Sequence, residues 1–161
     1  MIEFVLPVVF FALLWIWIQL LMDEAILVPL PRKTIREMLR LARTRKGEAV
    51  YDLGSGDGRV VNIAATEFGA KAIGIEKNPF LAWLSRNKGK IIQGDIFNAN
   101  ISKADVVIIY LSHKITQQLK GKFQRELKKG ARIVSASHPI EGWRETKRIK
   151  TEHFYSYLYR R

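Results

Sequence analysis

The chain has 161 residues, 48% of them hydrophobic, with 27 Lys and Arg against 15 Asp and Glu, a net charge of +12. There is no cysteine, which excludes disulfides, a thiolate nucleophile and a Cys-ligated metal. Three scattered histidines offer no metal-ligand spacing, so no metal site is expected.

From Phe4 to Met22 the only polar side chain is Gln19. As a helix this run is about 28 Å long, close to the roughly 30 Å of a bilayer's hydrocarbon core. No basic residue precedes it and no small-x-small cleavage site follows, so a signal peptide fits poorly. No polar face exists at any helical phase, which argues against a buried core helix. Residues 1–24 are therefore expected to form a transmembrane anchor, with Trp15 and Trp17 as interfacial aromatics. Their three acids leave 27 basic against 12 acidic residues in the remainder, a net +15. Seven basic residues between Arg32 and Lys46 predict a single-pass protein whose globular part faces the cytoplasm.

Residues 25–46 read as a Pro-containing link and a basic amphipathic helix. Ile35, Met38, Leu39 and Ala42 recur at helical spacing there, with Arg36, Arg40 and Arg43 between them. Such a basic face beside an anchor suits acidic lipid headgroups. Beyond residue 47 strands and helices alternate. Strands are predicted at 49–53, 71–76, 90–93, 105–111 and 131–135. Helices are predicted at 59–68, 79–87 and 115–127, and a closing hairpin at 146–152 and 154–160. The fold class is α/β: a Rossmann-like doubly wound sheet of about seven strands, mostly parallel, with an antiparallel C-terminal hairpin. Residues 47–161 are expected to form this domain.

In such a sheet, ligands sit beyond the carboxyl ends of the strands. Four features fall there. The turn Gly54-Ser55-Gly56-Asp57-Gly58 follows Asp52 and the first strand. Glu76 closes the second strand, 24 positions after Asp52, where a carboxylate can bind both ribose hydroxyls of an adenosine cofactor. Asp95 and Ile96 follow the third strand and suit an adenine amino group and ring. Tyr110 ends the fourth, beside a reacting group. Singly, the first three have plainer readings: a tight turn, a solvated strand end, a helix cap. Together these three are correctly ordered at three successive strand ends. A dinucleotide is disfavoured, because Asp52 and Asp57 would repel a pyrophosphate. A cofactor with an amino group and a sulfonium fits better.

Asp52-x-Gly54-x-Gly56-x-Gly58, Glu76 and Gly94-Asp95 resemble the class I S-adenosylmethionine-dependent methyltransferases. A narrower resemblance adds Val28-Pro29-Leu30-Pro31, Leu127-Lys128-Lys129-Gly130, Gly142-Trp143 and Tyr157-Leu158-Tyr159. These look like small archaeal protein lysine methyltransferases and their membrane-anchored mitochondrial relatives. The family usually has Thr where Leu30 stands, and the 136–139 segment also departs from the archaeal pattern. The resemblance implies S-adenosyl-L-methionine as cofactor and a lysine-bearing, membrane-associated protein as partner. Asp52, Gly54, Ser55 and Gly56 would hold the methionine end, Glu76 the ribose, Asp95 and Ile96 the adenine. Tyr110 would orient the amine. Methylation of a membrane lipid or of RNA is the alternative. Against RNA, the Asn/Asp-Pro-Pro-aromatic signature is missing: its place reads Tyr110-Leu111-Ser112-His113. Trp143, His113 and His138 read as packing or loop residues.

Overall fold

The computed structural model describes the backbone of residues 2–21 and 28–161, and the side chains of 6–17 and 28–161. Residues 22–27, the end of the apolar run and the start of the link, lie outside the described residues.

Helix α1 spans Ile2–Leu21. Most of its large apolar side chains from Leu6 to Trp17, Phe10, Phe11, Trp15 and Trp17 among them, are exposed. Among the described residues no helix is long and apolar enough to cross a membrane. The expected transmembrane helix is thus not established by the structure, and the fold class rests on the sheet.

The domain begins with α2 (Arg32–Leu41) and continues as β1 (Ala49–Leu53), α3 (Arg59–Phe68), β2 (Lys71–Glu76) and α4 (Pro79–Ser85). Then come β3 (Lys90–Gln93), β4 (Val106–Ile109), α5 (His113–Gln118), α6 (Lys120–Glu126) and β5 (Arg132–Ala136). The hairpin β6 (Lys147–Lys150) and β7 (Tyr155–Arg160) closes the chain. All seven strands form one sheet in the order β3-β2-β1-β4-β5-β7-β6. The first five are parallel, while β7 runs antiparallel to β5 and to β6. Strand order reverses between β1 and β4, so their carboxyl ends open the crevice where such folds place ligands.

Two elements depart from the sequence expectation. Strand β4 is shorter than 105–111, running from Val106 to Ile109. Asp105 still donates its N–H to the Ala49 carbonyl and accepts the Arg132 N–H, while its carboxylate accepts the Ala49 N–H at 2.8 Å and pairs with Lys128. The expected single helix 115–127 is two helices meeting at Leu119. Ser112 caps the first, accepting from the Ile115 N–H, and Gly121, a poor helix former, lies near the start of the second.

Side-chain alternation along β4 builds both cores. Val106 and Ile108 pack with Met38, Leu39 and Ile63 under α2 and α3. Val107 and Ile109 pack with Leu119 and Phe123 under α5 and α6. A strand buried on both faces must be apolar throughout, and β4 is. Helix α2 is fastened at two points. Arg36 reaches Glu67 of α3 with two hydrogen bonds of 2.7 and 2.8 Å. Arg132 of β5 donates to the Ala42 and Arg43 carbonyls at 2.7 and 3.1 Å, satisfying orphan acceptors at the end of α2. Trp143 packs edge-on to Phe123 and Tyr159, as its packing reading expects.

Candidate functional site

A cavity of about 400 Å³ opens at the carboxyl ends of β1, β2 and β4. Asp52, Gly54, Ser55, Gly56, Glu76, Asp95, Ile96 and Tyr110 all line it. Every site residue expected from the sequence thus meets in one place. His113 and His138 do not line it; their rings touch edge-on, and His113 Nε2 lies 2.9 Å from Glu141.

The turn after β1 is shaped by backbone that only glycine adopts freely. Gly54 and Gly58 have φ of +80° and +76°. A Cβ at Gly54 would lie 2.8 Å from Leu111 Cδ2, so the turn packs directly on the end of β4. The Gly54 and Ser55 N–H groups both donate to the Ile75 carbonyl, at 2.9 and 3.0 Å. Glu76 finishes the clamp. Its carboxylate accepts the Gly56 N–H at 2.7 Å and the Asn78 N–H at 2.9 Å. A residue expected as a ribose ligand therefore also holds the glycine turn and the start of α4.

Gly74 supports the site from behind and sequence reasoning missed it, although an isolated glycine inside a strand is a recognised sign of close approach. It pairs in register with Asp52. A Cβ there would lie 2.5 Å from Ser55 Oγ, 2.6 Å from Ser55 Cβ and 2.7 Å from Ile91 Cδ1. Its missing side chain is the space Ser55 occupies.

Asp52 is buried and its Oδ2 has no hydrogen-bond partner; the buried Ser55 Oγ has none either. Burial, reinforced by the charges of Glu76 and Asp57, pushes the Asp52 carboxyl up to about 8. Two orphaned oxygens in a cavity wall mark a place for a donor-rich, cationic ligand group. Asp57 plays another part. Burial alone would raise its carboxyl, but hydrogen bonds from Arg59 and the charges of Arg59 and Lys88 outweigh this and hold it low. Arg59 also donates to the Leu30 carbonyl at 3.0 Å, fixing the link as the cavity's outer wall.

Asp95 accepts the Phe97 N–H at 2.8 Å through Oδ1, which rigidifies the loop after β3. That loop is tethered from behind. The buried Lys122 of α6 donates to the Phe97 carbonyl at 3.1 Å and pairs with Glu126 at 2.7 Å. Glu126 in turn accepts the Ile101 N–H at 3.3 Å. Tyr110 stacks on Phe154, with ring centroids 5.3 Å apart, and also faces the cavity.

The profile of the ANTKMT methyltransferase domain matches residues 52–147, from the buried aspartate to the start of β6. The chain belongs to this methyltransferase family. A protein-lysine N-methyltransferase of Saccharolobus islandicus (strain REY15A) is 39% identical over 135 residues, covering 78% of this chain and 84% of the relative. An adenine nucleotide translocase lysine N-methyltransferase of Mus musculus is 35% identical over 121 residues, covering 69% of this chain and 52% of the relative. The chain thus spans about half the length of that mouse methyltransferase. A solved RNA methyltransferase of Salinibacter ruber, in complex with S-adenosyl-L-homocysteine, superposes with a TM-score of 0.80. It is 34% identical and covers 83% of this chain and 93% of its own. Fold and family together are those of a class I S-adenosylmethionine-dependent methyltransferase.

Proposed function

We propose that this protein transfers methyl groups from S-adenosylmethionine to lysine side chains of a membrane-associated protein. The cofactor site is carried by one observation: Asp52 Oδ2 and Ser55 Oγ are buried, unpartnered and belong to residues lining the same cavity as Glu76. The lysine acceptor is supported by the 39% identity with the Saccharolobus lysine methyltransferase.

Asp52, Ser55 and the turn Gly54 to Gly56 hold the methionine end. Glu76 has lone pairs left for the ribose hydroxyls after accepting two backbone N–H groups. Asp95 and Ile96 face the adenine. Bound S-adenosylmethionine supplies a methyl group already activated on a sulfonium. The protein's task is then positioning, with no strong base required, and the acceptor amine must arrive neutral. Tyr110, held by its stack on Phe154, orients that amine.

Membrane attachment through residues 1–24, with the domain facing the cytoplasm, belongs to the same proposal. Its support is the apolar run Phe4–Met22, the exposed apolar side chains of α1 and the basic residues that follow.

The Asp52 carboxyl gives a pH signature. Below about pH 8 it holds a proton in the free protein. A cationic amino group favours the ionised form, so binding releases that proton. Affinity for S-adenosylmethionine should rise as pH climbs from 6 toward about 8, and fall above it as the cofactor's own α-amino group loses its proton. Titration calorimetry in Asp52→Asn should lose the rise; a rise that persists assigns it elsewhere.

Lys122→Met removes the tether of the adenine loop. A hydrogen bond to a charged group contributes about 1.5–3 kcal/mol, so cofactor affinity should fall roughly tenfold or more. Adding Glu126→Gln removes the unpaired carboxylate while keeping an acceptor for the Ile101 N–H, which restores stability. The affinity should stay low, because the Phe97 carbonyl remains untethered. Affinity that recovers with stability makes Lys122 merely structural.

The Salinibacter RNA methyltransferase favours RNA as the second reading. Incubation with radiolabelled S-adenosylmethionine and a membrane extract, followed by separation of protein, lipid and RNA, decides. Label in protein supports lysine methylation; label confined to RNA or lipid overturns it.

A further inference from the structure

The mouth of the cofactor cavity is flanked by an apolar, basic surface that no part of the proposed reaction uses. On α4, Phe80 is 62%, Trp83 56% and Leu84 46% exposed. The Phe80 and Trp83 rings stack with centroids 6.1 Å apart, and the Arg86 guanidinium lies 5.2 Å over the Trp83 ring. Phe97 and Val28 add exposed apolar surface on the cavity's rim. Contiguous large apolar side chains on a protein surface mark an interaction site. The charge around them is one-sided. From Lys77 to Gly94 the chain has Lys77, Arg86, Lys88 and Lys90 and no acidic residue. Lys88 lies 3.8 Å from Asp57, at the edge of ion-pair range.

We propose that α4 and its rim dock on an anionic lipid surface, with Phe80, Trp83 and Leu84 entering the headgroup region and Arg86, Lys88 and Lys90 meeting lipid phosphates. This rests on the membrane reading above. Tryptophan is favoured at a bilayer interface, and long basic side chains keep their charge in the headgroups while their stems stay apolar. Basic residues near an anionic leaflet add electrostatic attraction. A protein partner for this face would need anionic and apolar groups interleaved; a bilayer presents both everywhere. Phe80 also lines the cavity, so docking turns the cavity mouth toward the membrane. The acceptor lysine is thereby confined to a protein at that surface.

The test uses the full chain reconstituted in vesicles of phosphatidylcholine and phosphatidylglycerol that carry brominated acyl chains. Trp15→Phe with Trp17→Phe leaves Trp83 and Trp143; adding Trp83→Phe isolates the Trp83 signal by difference. A companion variant, Trp15→Phe with Trp83→Phe, leaves Trp17 and Trp143 to report on the N-terminal helix. The Trp83 fluorescence should be largely quenched. The quenching should weaken in phosphatidylcholine alone and in Arg86→Gln with Lys90→Gln. An unquenched Trp83 beside a quenched Trp17 overturns the docking while the anchor stands. Quenching of Trp83 without Trp17 supports the docking and removes the anchor. Neither quenched overturns both. Quenching of Trp83 that ignores lipid charge and the two glutamine substitutions also overturns the proposal, because the basic residues then contribute nothing.

Discussion

Glu76→Ala should lower the affinity for S-adenosylmethionine by about a hundredfold or more in an equilibrium titration. Two losses combine. The carboxylate accepts the Gly56 and Asn78 N–H groups at 2.7 and 2.9 Å, and both donors are left without it. Each hydrogen bond to a charged group contributes about 1.5–3 kcal/mol, and each 1.4 kcal/mol is about tenfold in affinity. The ribose contacts go as well. Glu76→Gln keeps an acceptor oxygen for one of the two N–H groups, so it should fall between the parent and the alanine variant. A Glu76→Ala protein that is folded and binds the cofactor unchanged would sink the site assignment.

Gly74→Ala should have the second-largest effect, on stability and binding together. The new Cβ would meet Ser55 Oγ at 2.5 Å and Ser55 Cβ at 2.6 Å. Ser55 is short and sits on a fixed turn, so it cannot swing aside. Overpacking of this kind costs about 1–3 kcal/mol, and a domain of this size loses roughly 3 °C in Tm for each. The turn must also move, which displaces Gly54 to Gly56 from the cofactor. Pairing Gly74→Ala with Ser55→Gly removes the Ser55 clash and leaves the 2.7 Å approach to Ile91 Cδ1, the end of a flexible side chain. Thermal unfolding should then return toward the parent value while cofactor affinity stays low, since the Ser55 hydroxyl is gone. Tm unchanged in Gly74→Ala alone would show that the close approach is not enforced.

Much of this site is legible in the sequence because its residues are tied to strand ends by short-range pattern. Apolar runs bounded by Gly or acid locate β1, β2 and β4, and the turn and Glu76 follow from them. What the sequence hides depends on contacts between distant segments. Lys122 reads as one more charge on a basic chain, yet it is buried and holds a loop 25 residues away. The double use of Glu76 needs β2 beside β1. The break at Leu119 is masked by continuous apolar periodicity across α5 and α6. Gly74 is readable in principle, as the one residue of β2 without a side chain.

Charge carries a related lesson. A net +12 invites a nucleic-acid reading, but part of it is used inside the fold. Arg36 and Arg132 pair with carboxylates on other segments, and Arg59 and Lys122, paired locally with Asp57 and Glu126, reach the Leu30 and Phe97 carbonyls. Arg86 lies instead over the exposed Trp83 ring of α4.

Two questions decide the function: where the methyl group goes, and whether it leaves from this cavity. Incubation of the full chain and membrane proteins with methyl-deuterated S-adenosylmethionine, followed by peptide mass spectrometry, reads both. Deuterated methyl groups should appear on lysine side chains and be absent when Glu76→Ala replaces the parent. Deuterium found only in RNA or lipid, or on lysine at the same level with Glu76→Ala, would overturn lysine methylation from this site.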